Sequence, residues 1–434
     1  MPEFRPRDVI HRESPYCVVV DDGVLDRICS YCLYWKEVEP CECLLVFYCS
    51  NFCKLQDARD HEIECLLSRT RGRESLLDDE VRLVVRALAK NFREERIGSV
   101  SEGNFYGSRR SISDLETHLE DLSEDDRLEV QEKAQRIASL MRAFTNTEVH
   151  EVALMLQRLR INMFQLSDHR AVTKGIACYL GISVVDHTCE DSGNFVLAFK
   201  GREIILRALK NFTVQDMGDF RINYIDATIP TEERRRALLA GYFFACQCAK
   251  CLAESTRAVN SSPPSVEHGG LLHELDALFL SGCSDREMFR AAKNLMERIE
   301  LSNYPTDYHR DLCFQIQSAA LALGRYEESI RYGLMAVGGT ENLYRLECAM
   351  VSLCEAMQAL GWNHFSHPLH KQSRRVSRYT VKLLRSIYGD DYIVINEMKK
   401  MDWLGEGNMP SLDGVQGGVE GNGEEEEETS GETR

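Results

Sequence analysis

The tightest cluster of reactive side chains in this 434-residue chain is Cys246-Gln247-Cys248-Ala249-Lys250-Cys251, which places three thiols within six residues. A structural zinc is tetrahedral and takes four ligands, so a C-x-C-x2-C run supplies all but one of them. Cys189 has no cysteine close to it in sequence and reads as the fourth ligand. Closure of the four on one ion would pin the turn Asp186-His187-Thr188-Cys189 to the segment after Tyr224, leaving a cleft between them with Tyr224 beside it. A second ligand-rich stretch lies near the N-terminus, where Cys29-x2-Cys32, Cys41-x-Cys43, Cys49-x3-Cys53 and His61-x3-Cys65 supply eight ligands. Eight ligands suffice for two tetrahedral ions, with alternate pairs serving alternate ions if the segment is cross-braced. A single site at Cys29, Cys32, Cys49 and Cys53 is the alternative, because the Cys41-x-Cys43 pair is one residue tighter than C-x2-C. So short a segment has too little apolar area to fold unaided, which argues for metal. The other cysteines (Cys17, Cys178, Cys283, Cys313, Cys348, Cys354) lie among apolar residues and read as small core hydrophobes.

These ligands need elements to hold them, and the pattern predicts an α+β chain. The β-branched run Tyr16-Cys17-Val18-Val19-Val20 reads as a strand closed by Asp21-Asp22-Gly23. Leu76, Leu77, Val81, Val84, Val85 and Leu88 recur at helical spacing, followed by a polar loop over 99–111 and a second helical region from Ser113 to about Thr145. An amphipathic helix over 148–162 precedes short strands over 175–179, 195–199, 203–208 and 220–225. Pro230-Thr231-Glu232-Glu233 then opens a helix with Thr231 as N-cap. Ser261-Ser262-Pro263-Pro264 and Gly269-Gly270 mark a linker. Beyond it the chain reads as all helix, with a Leu-Gly turn at Leu323-Gly324 that recurs 37 residues later at Leu360-Gly361, near the period of a tetratricopeptide array.

Composition sets the setting. No run of apolar residues approaches a membrane span, and the N-terminus lacks a signal-peptide layout. The chain is therefore expected in a reducing compartment, nucleus and cytoplasm, where seventeen cysteines, eleven of them in the two ligand clusters, argue for metal sites before disulfides. The formal net charge of −17 is concentrated at the end, where 405–434 carries nine acids against one arginine and almost no large apolar residue. Such a segment cannot offset its ordering entropy and is expected to be disordered. The sequence shows no dense basic stripe, so direct nucleic-acid binding is not expected.

The two ligand clusters, the Asp186-His187-Thr188-Cys189 motif and the spacing from Gly218 to Tyr224 resemble the SET and MYND domain (SMYD) protein lysine methyltransferases. The resemblance covers residues 5 to about 400. It implies the start of a β-rich SET domain at 1–28, a MYND zinc finger at 29–65, a helical insertion at 66–147, the SET core at 148–227, a post-SET region at 228–255, a linker at 256–270, a TPR-like helical domain at 271–404 and the acidic tail. It also implies zinc and S-adenosylmethionine as cofactors. Phe164, Tyr224 and Tyr242 would line the lysine channel, with the Tyr224 hydroxyl orienting the amine; Asn162, Asp186, His187 and Phe244 would contact the methyl donor. The donor side looks eroded: Asp186 stands where the family has asparagine, Arg110 and His118 where tyrosine and asparagine are usual, and the Gly-rich N-terminal turn is expected to be absent. A carboxylate only accepts hydrogen bonds where an amide also donates. Two functions follow. One is a lysine methyltransferase acting on a protein or peptide; the other is a catalytically inactive zinc scaffold that binds peptides, with the MYND module docking protein partners. A monomer is expected in either case.

Overall fold

The computed structural model describes residues 2–395 apart from 168–171, 191–192, 226, 228, 230, 261–273, 275–282, 301–305, 339–342, 363–365, 391 and 393–394. The readings of Ser261-Pro264, Gly269-Gly270 and the acidic tail therefore lie outside the described residues.

Three strands open the chain, β1 (Glu3–Phe4), β2 (Val9–Glu13) and β3 (Cys17–Val20). The ligand-rich segment follows, carrying β4 (Glu39–Pro40) paired with β5 (Phe47–Tyr48) and running into α1 (Asn51–Arg71). Ser50 caps α1 by accepting the Cys53 N–H, so the helix begins where two metal-ligand cysteines are needed. α2 (Asp79–Ile97) is capped by Asp78, which accepts from Glu80 and Val81, and it stops at Gly98 in the left-handed region, φ 64°. The stretch read as a polar loop over 99–111 contains a hairpin instead, β6 (Gly103–Phe105) with β7 (Ser108–Arg110). Its two turn residues, Tyr106 and Gly107, have φ of 50° and 87°, the signs of a type I′ turn. A side chain at Gly103 would place its Cβ 2.0 Å from the Gly181 nitrogen, so only glycine lets the hairpin lie against that backbone. Next come α3 (Glu124–Met141), opened by Ser123, and α4 (Val149–Asn162).

The strand-rich part continues with β8 (Met163–Ser167), β9 (Thr173–Cys178), β10 (Asp186–His187), β11 (Phe195–Lys200), β12 (Glu203–Ala208), β13 (Phe212–Thr213) and β14 (Arg221–Ile222). Two antiparallel three-stranded sheets result, ordered β11-β12-β2 and β3-β9-β8, while β10 and β14 pair in parallel. Ile10, Ile204 and Leu206 from one sheet and Val18, Val20, Leu166 and Ala177 from the other share one core. β3 is buried on both faces because alternate residues serve different cores: Val18 and Val20 face the sheets, Cys17 and Val19 face the zinc module and α2–α4.

α5 (Thr231–Tyr242) and α6 (Ala249–Asn260) carry the last cysteines. Thr231 is the first helical residue rather than the cap, and its hydroxyl donates to Glu254. The predicted linker at 256–270 also shifts: α6 runs through to Asn260, since Ala-Glu-Ser-Thr-Arg-Ala-Val offers no breaker. Then follow α7 (Asp285–Glu300), α8 (Thr306–Ala322), α9 (Tyr326–Val337), α10 (Leu343–Ala359) and α11 (His370–Tyr388). Gly324 and Gly361 end α8 and α10 in the same left-handed conformation, φ 70° each. α10 and α11 share a core with Val196 and Ala198 of β11, and Arg207 of β12 donates to the carbonyls of Ile387 and Tyr388. No helix among the described residues is long and apolar enough to cross a membrane.

Candidate zinc-pinned active site

Three groups of four ligand atoms each draw together, every atom within 4.8 Å of its partners: Cys29, Cys32, Cys49, Cys53; Cys41, Cys43, His61, Cys65; and Cys189, Cys246, Cys248, Cys251. A tetrahedron with Zn–S bonds of ~2.3 Å has sulfur–sulfur edges of ~3.8 Å. The edges here are 3.8 Å for Cys32–Cys49, 3.6 Å for Cys49–Cys53, 3.8 Å for Cys41–Cys65 and 3.8 Å for Cys189–Cys246. All three groups fit zinc. The first two alternate along the chain, the cross-braced arrangement. Cys41-x-Cys43 closes despite its short spacing because the Leu44 N–H folds back to the Cys41 carbonyl at 2.9 Å, as the Leu33 N–H does to Cys29. Both leucines pay for this turn with positive φ, 57° and 58°, a left-handed conformation costing ~1 kcal/mol that the metal bonds can offset.

Behind the second group sits a buried polar chain that the sequence did not reveal. The His61 Nδ1 lies 2.7 Å from Glu64, so it donates there and leaves Nε2 for the metal, 3.2 Å from the Cys43 sulfur. Glu64 is fully buried and also accepts from Arg82 at 2.7 Å and Arg86 at 2.9 Å. Burial alone would raise its pKa, yet Arg86, Arg82 and His61 hold it well below the usual carboxylate range. Arg86 goes on to Asp57, which accepts the Tyr48 hydroxyl, while Arg82 donates to the carbonyls of Val20 and Leu45. The zinc module is thus tied to β3 by charge-assisted bonds. Glu64→Gln is expected to lower affinity for one of the three ions roughly 10–100-fold, read by competition with a chromophoric chelator. Unchanged affinity for all three would show that Glu64 does not orient the ligand.

The third group joins the His187 turn to the aromatic residues around Tyr224. β10 delivers His187 and Cys189 beside β14, with the Thr188 N–H bonded to the Ile222 carbonyl at 2.9 Å. His187 Nδ1 accepts the Tyr224 backbone N–H at 3.1 Å, which fixes the tautomer: Nε2 carries the proton and donates to the Cys189 sulfur at 3.2 Å. One imidazole therefore couples the metal ligand to the tyrosine segment. Burial, with the charge of Arg234, pushes its pKa down to about 4, so it is neutral at pH 7. Arg234, only 1% exposed, donates to the Cys251 sulfur and to Glu254, and supplies positive charge to a four-thiolate site that carries net negative charge with zinc. No sequence pattern marked Arg234.

Cys189, Cys246 and Cys251 are buried with Leu238, and Tyr224, Tyr242 and Phe244 pack against them. The Tyr224 and Tyr242 rings lie 4.9 Å apart, and His187 lies 5.3 Å from Tyr224 and 5.8 Å from Phe244. The Tyr224 hydroxyl donates to the Val185 carbonyl at 2.6 Å, and Tyr242 donates to the Tyr224 carbonyl at 3.3 Å. Burial, then Asp186 and Tyr242, push the Tyr224 phenol up, so it stays protonated at neutral pH. Phe164 stands in an adjoining ring cluster with Tyr179 and Phe199, on the core that Tyr224 also packs against, and makes no ring contact with either tyrosine among the described residues.

The Asn162 amide donates to the carbonyls of Arg158 at 2.8 Å and Glu116 at 3.4 Å, and among the described residues its oxygen takes no hydrogen bond. Asp186 is exposed and adds a second acceptor. Arg110 donates to the Ser183 carbonyl, and the His118 ring stacks on Phe243 at 4.9 Å while its Nδ1 meets Asp121. Of the six remaining cysteines, all but Cys283 are buried.

No family model matches the chain. Individual proteins do. The histone-lysine N-methyltransferase ASHR1 of Arabidopsis thaliana is 26% identical over 57% of this chain and 51% of its own length. The N-lysine methyltransferase SMYD2-B of Danio rerio is 23% identical over 89% of this chain and 90% of its own. The human N-lysine methyltransferase SMYD2 is 22% identical, with 92% of this chain and 93% of that protein covered. The chain thus spans about half the length of ASHR1 and nine-tenths of the two SMYD2 proteins.

Proposed function

Because the chain belongs to the SET and MYND domain (SMYD) family, we propose that it transfers a methyl group from S-adenosylmethionine to the side-chain amine of a lysine in a protein substrate. The observation that carries this is the state of Tyr224. Its only proton is committed to the Val185 carbonyl, so the hydroxyl oxygen is left to accept an N–H from an incoming amine and to aim the nitrogen lone pair. The rings around it are uncharged, two phenols, a neutral imidazole and Phe244, with the charges of Asp186 and Arg234 lying beyond them. Such a wall disfavours the lysine ammonium relative to the nucleophilic amine, while the ring faces tolerate a methylated product cation.

S-adenosylmethionine supplies an electrophilic methyl group on a sulfonium. The residues at hand suit its positive groups: the Asn162 oxygen and the Asp186 carboxylate are acceptors, with His187 and Phe244 as flanking rings. What they lack is a donor at 186. Asp186→Asn restores one, and one recovered hydrogen bond at ~1 kcal/mol should raise affinity for the donor about fivefold to tenfold by calorimetry. A fall in affinity would show that the carboxylate itself is used. Thiolate ligands must stay reduced, which supports action in the nucleus and cytoplasm. The test is incubation of zinc-replete protein with radiolabelled S-adenosylmethionine and lysine-bearing proteins. Label on lysine is expected; no label on any, from folded protein that binds the donor, would overturn the proposal.

A further inference from the structure

The sequence shows no dense basic stripe because its cations are spaced three and four residues apart, but a helix gathers them. On α11, Lys371, Arg375, Arg378 and Lys382 follow each other at i, i+4, i+7 and i+11, which is one face. Lys371, Arg375 and Arg378 are exposed and Lys382 half-buried, with Tyr379 50% exposed beside them. The opposite face, with Ser377, Val381, Leu384 and Ile387, is buried against α10 and β11. α11 holds no acidic residue. None of the four cations takes an ion pair among the described residues; the nearest acid beyond the helix, Asp390, is engaged by Arg385 at 3.2 Å.

The same chain carries the matching charge. Five consecutive glutamates occupy 424–428, within an end segment of nine acids and one arginine. Glu424 lies 29 residues beyond Ile395, which is buried in the α10–α11 core near the C-terminal end of α11. A flexible chain of that length would have a root-mean-square span of about 30 Å. At 1.5 Å per residue the cationic face extends from roughly 9 to 25 Å back from the end of α11. Reach and span match, the condition under which a tether gives its highest effective concentration.

We propose that the glutamates at 424–428 dock on the Lys371–Arg375–Arg378–Lys382 face of α11 and mask it from other polyanions. The inference is independent of the methyl-transfer proposal. Contacts between exposed charges are screened beyond ~10 Å at 0.1 M salt, so the docking is a low-salt state that salt releases. The experiment uses the full chain and a full-length variant carrying Glu424→Gln, Glu425→Gln, Glu426→Gln, Glu427→Gln and Glu428→Gln. Amine acylation is read residue by residue by mass spectrometry, with exposed Lys54 as the reference. Lys371 and Lys382 are expected to react several-fold more slowly in the native chain than in the variant at low salt, and equally in about 0.5 M salt. Carbodiimide should join them to 424–428 within one chain. Equal reactivity in both proteins, or cross-links confined to dimers, would overturn the proposal. So would a short DNA duplex that protects the two lysines with the same affinity in both proteins, because the face would then be open to nucleic acid rather than covered by the tail.

Discussion

Cys189→Ser is expected to reduce the zinc content from three ions per chain to two and to loosen the whole cleft. The buried part of this cluster is small: Cys189, Cys246, Cys251 and Leu238, with the aromatic residues packed on top. Apolar burial of that size cannot hold α5, α6 and the β10 turn together, whereas structural zinc contributes an apparent ~10 kcal/mol or more. Cys189→Ser also replaces the zinc-held sulfur that accepts from His187 Nε2 with a shorter, unanchored hydroxyl, and His187 is the group whose other nitrogen holds the Tyr224 backbone. Elemental analysis should show the lost ion. Amide exchange should rise steeply over 186–190 and 243–251 but not in β3 or α2, which belong to another core. Methyl transfer should fall below detection. Three retained ions with unchanged exchange would mean that Cys189 is not a ligand.

Tyr224→Phe separates chemistry from architecture. The ring keeps its packing against Tyr242 and His187, and all ligand cysteines stay, so the zinc count should remain three. What goes is the hydroxyl that donates to Val185 at 2.6 Å and whose oxygen is open to the amine. Loss of this part-buried bond should cost ~1 kcal/mol of stability. Loss of amine alignment should lower kcat by roughly 10²–10⁴-fold with little change in affinity for the methyl donor. Tyr242→Phe is the comparison: its hydroxyl makes only a 3.3 Å bond to the Tyr224 carbonyl, and the expected drop is ~10-fold or less. Equal effects of the two changes, or none at Tyr224, would remove the special role given to that hydroxyl.

The metal ligands were legible in the sequence because thiols are rare and their spacing is nearly the whole signal. Cys189 was legible by elimination and Cys41-x-Cys43 only in outline, since its closure depends on the backbone turn at Leu44. Strands with continuous apolar runs, such as Cys17–Val20 and Glu203–Ala208, were visible as well. β2 (Val9–Glu13) was not, because His11, Arg12 and Glu13 break its alternation. The pairing of Glu64 with Arg82 and Arg86 was not legible, since one helix seen alone cannot show that its charges pair with another helix. The α11 stripe was legible only in part: Arg374, Arg375 and Arg378 mark a basic patch in the sequence, while Lys371 and Lys382 join it only when the chain is wrapped at 3.6 residues per turn. For the aromatic wall, family spacing pointed to Tyr224 and Tyr242, while the His187 tautomer and the Arg234 contact exist only in three dimensions.

The most direct measurement places the wild-type, Tyr224→Phe and Cys189→Ser proteins side by side with S-adenosylmethionine and a lysine-bearing substrate, and follows substrate mass and zinc content together. A zinc-pinned tyrosine site predicts a methyl mass increment on lysine with the wild type, a strongly reduced increment at full zinc content with Tyr224→Phe, and no increment with one ion missing in Cys189→Ser. Methylation that proceeds undiminished in Tyr224→Phe, or no methylation by wild-type protein that holds three zinc ions and binds the methyl donor, would contradict it.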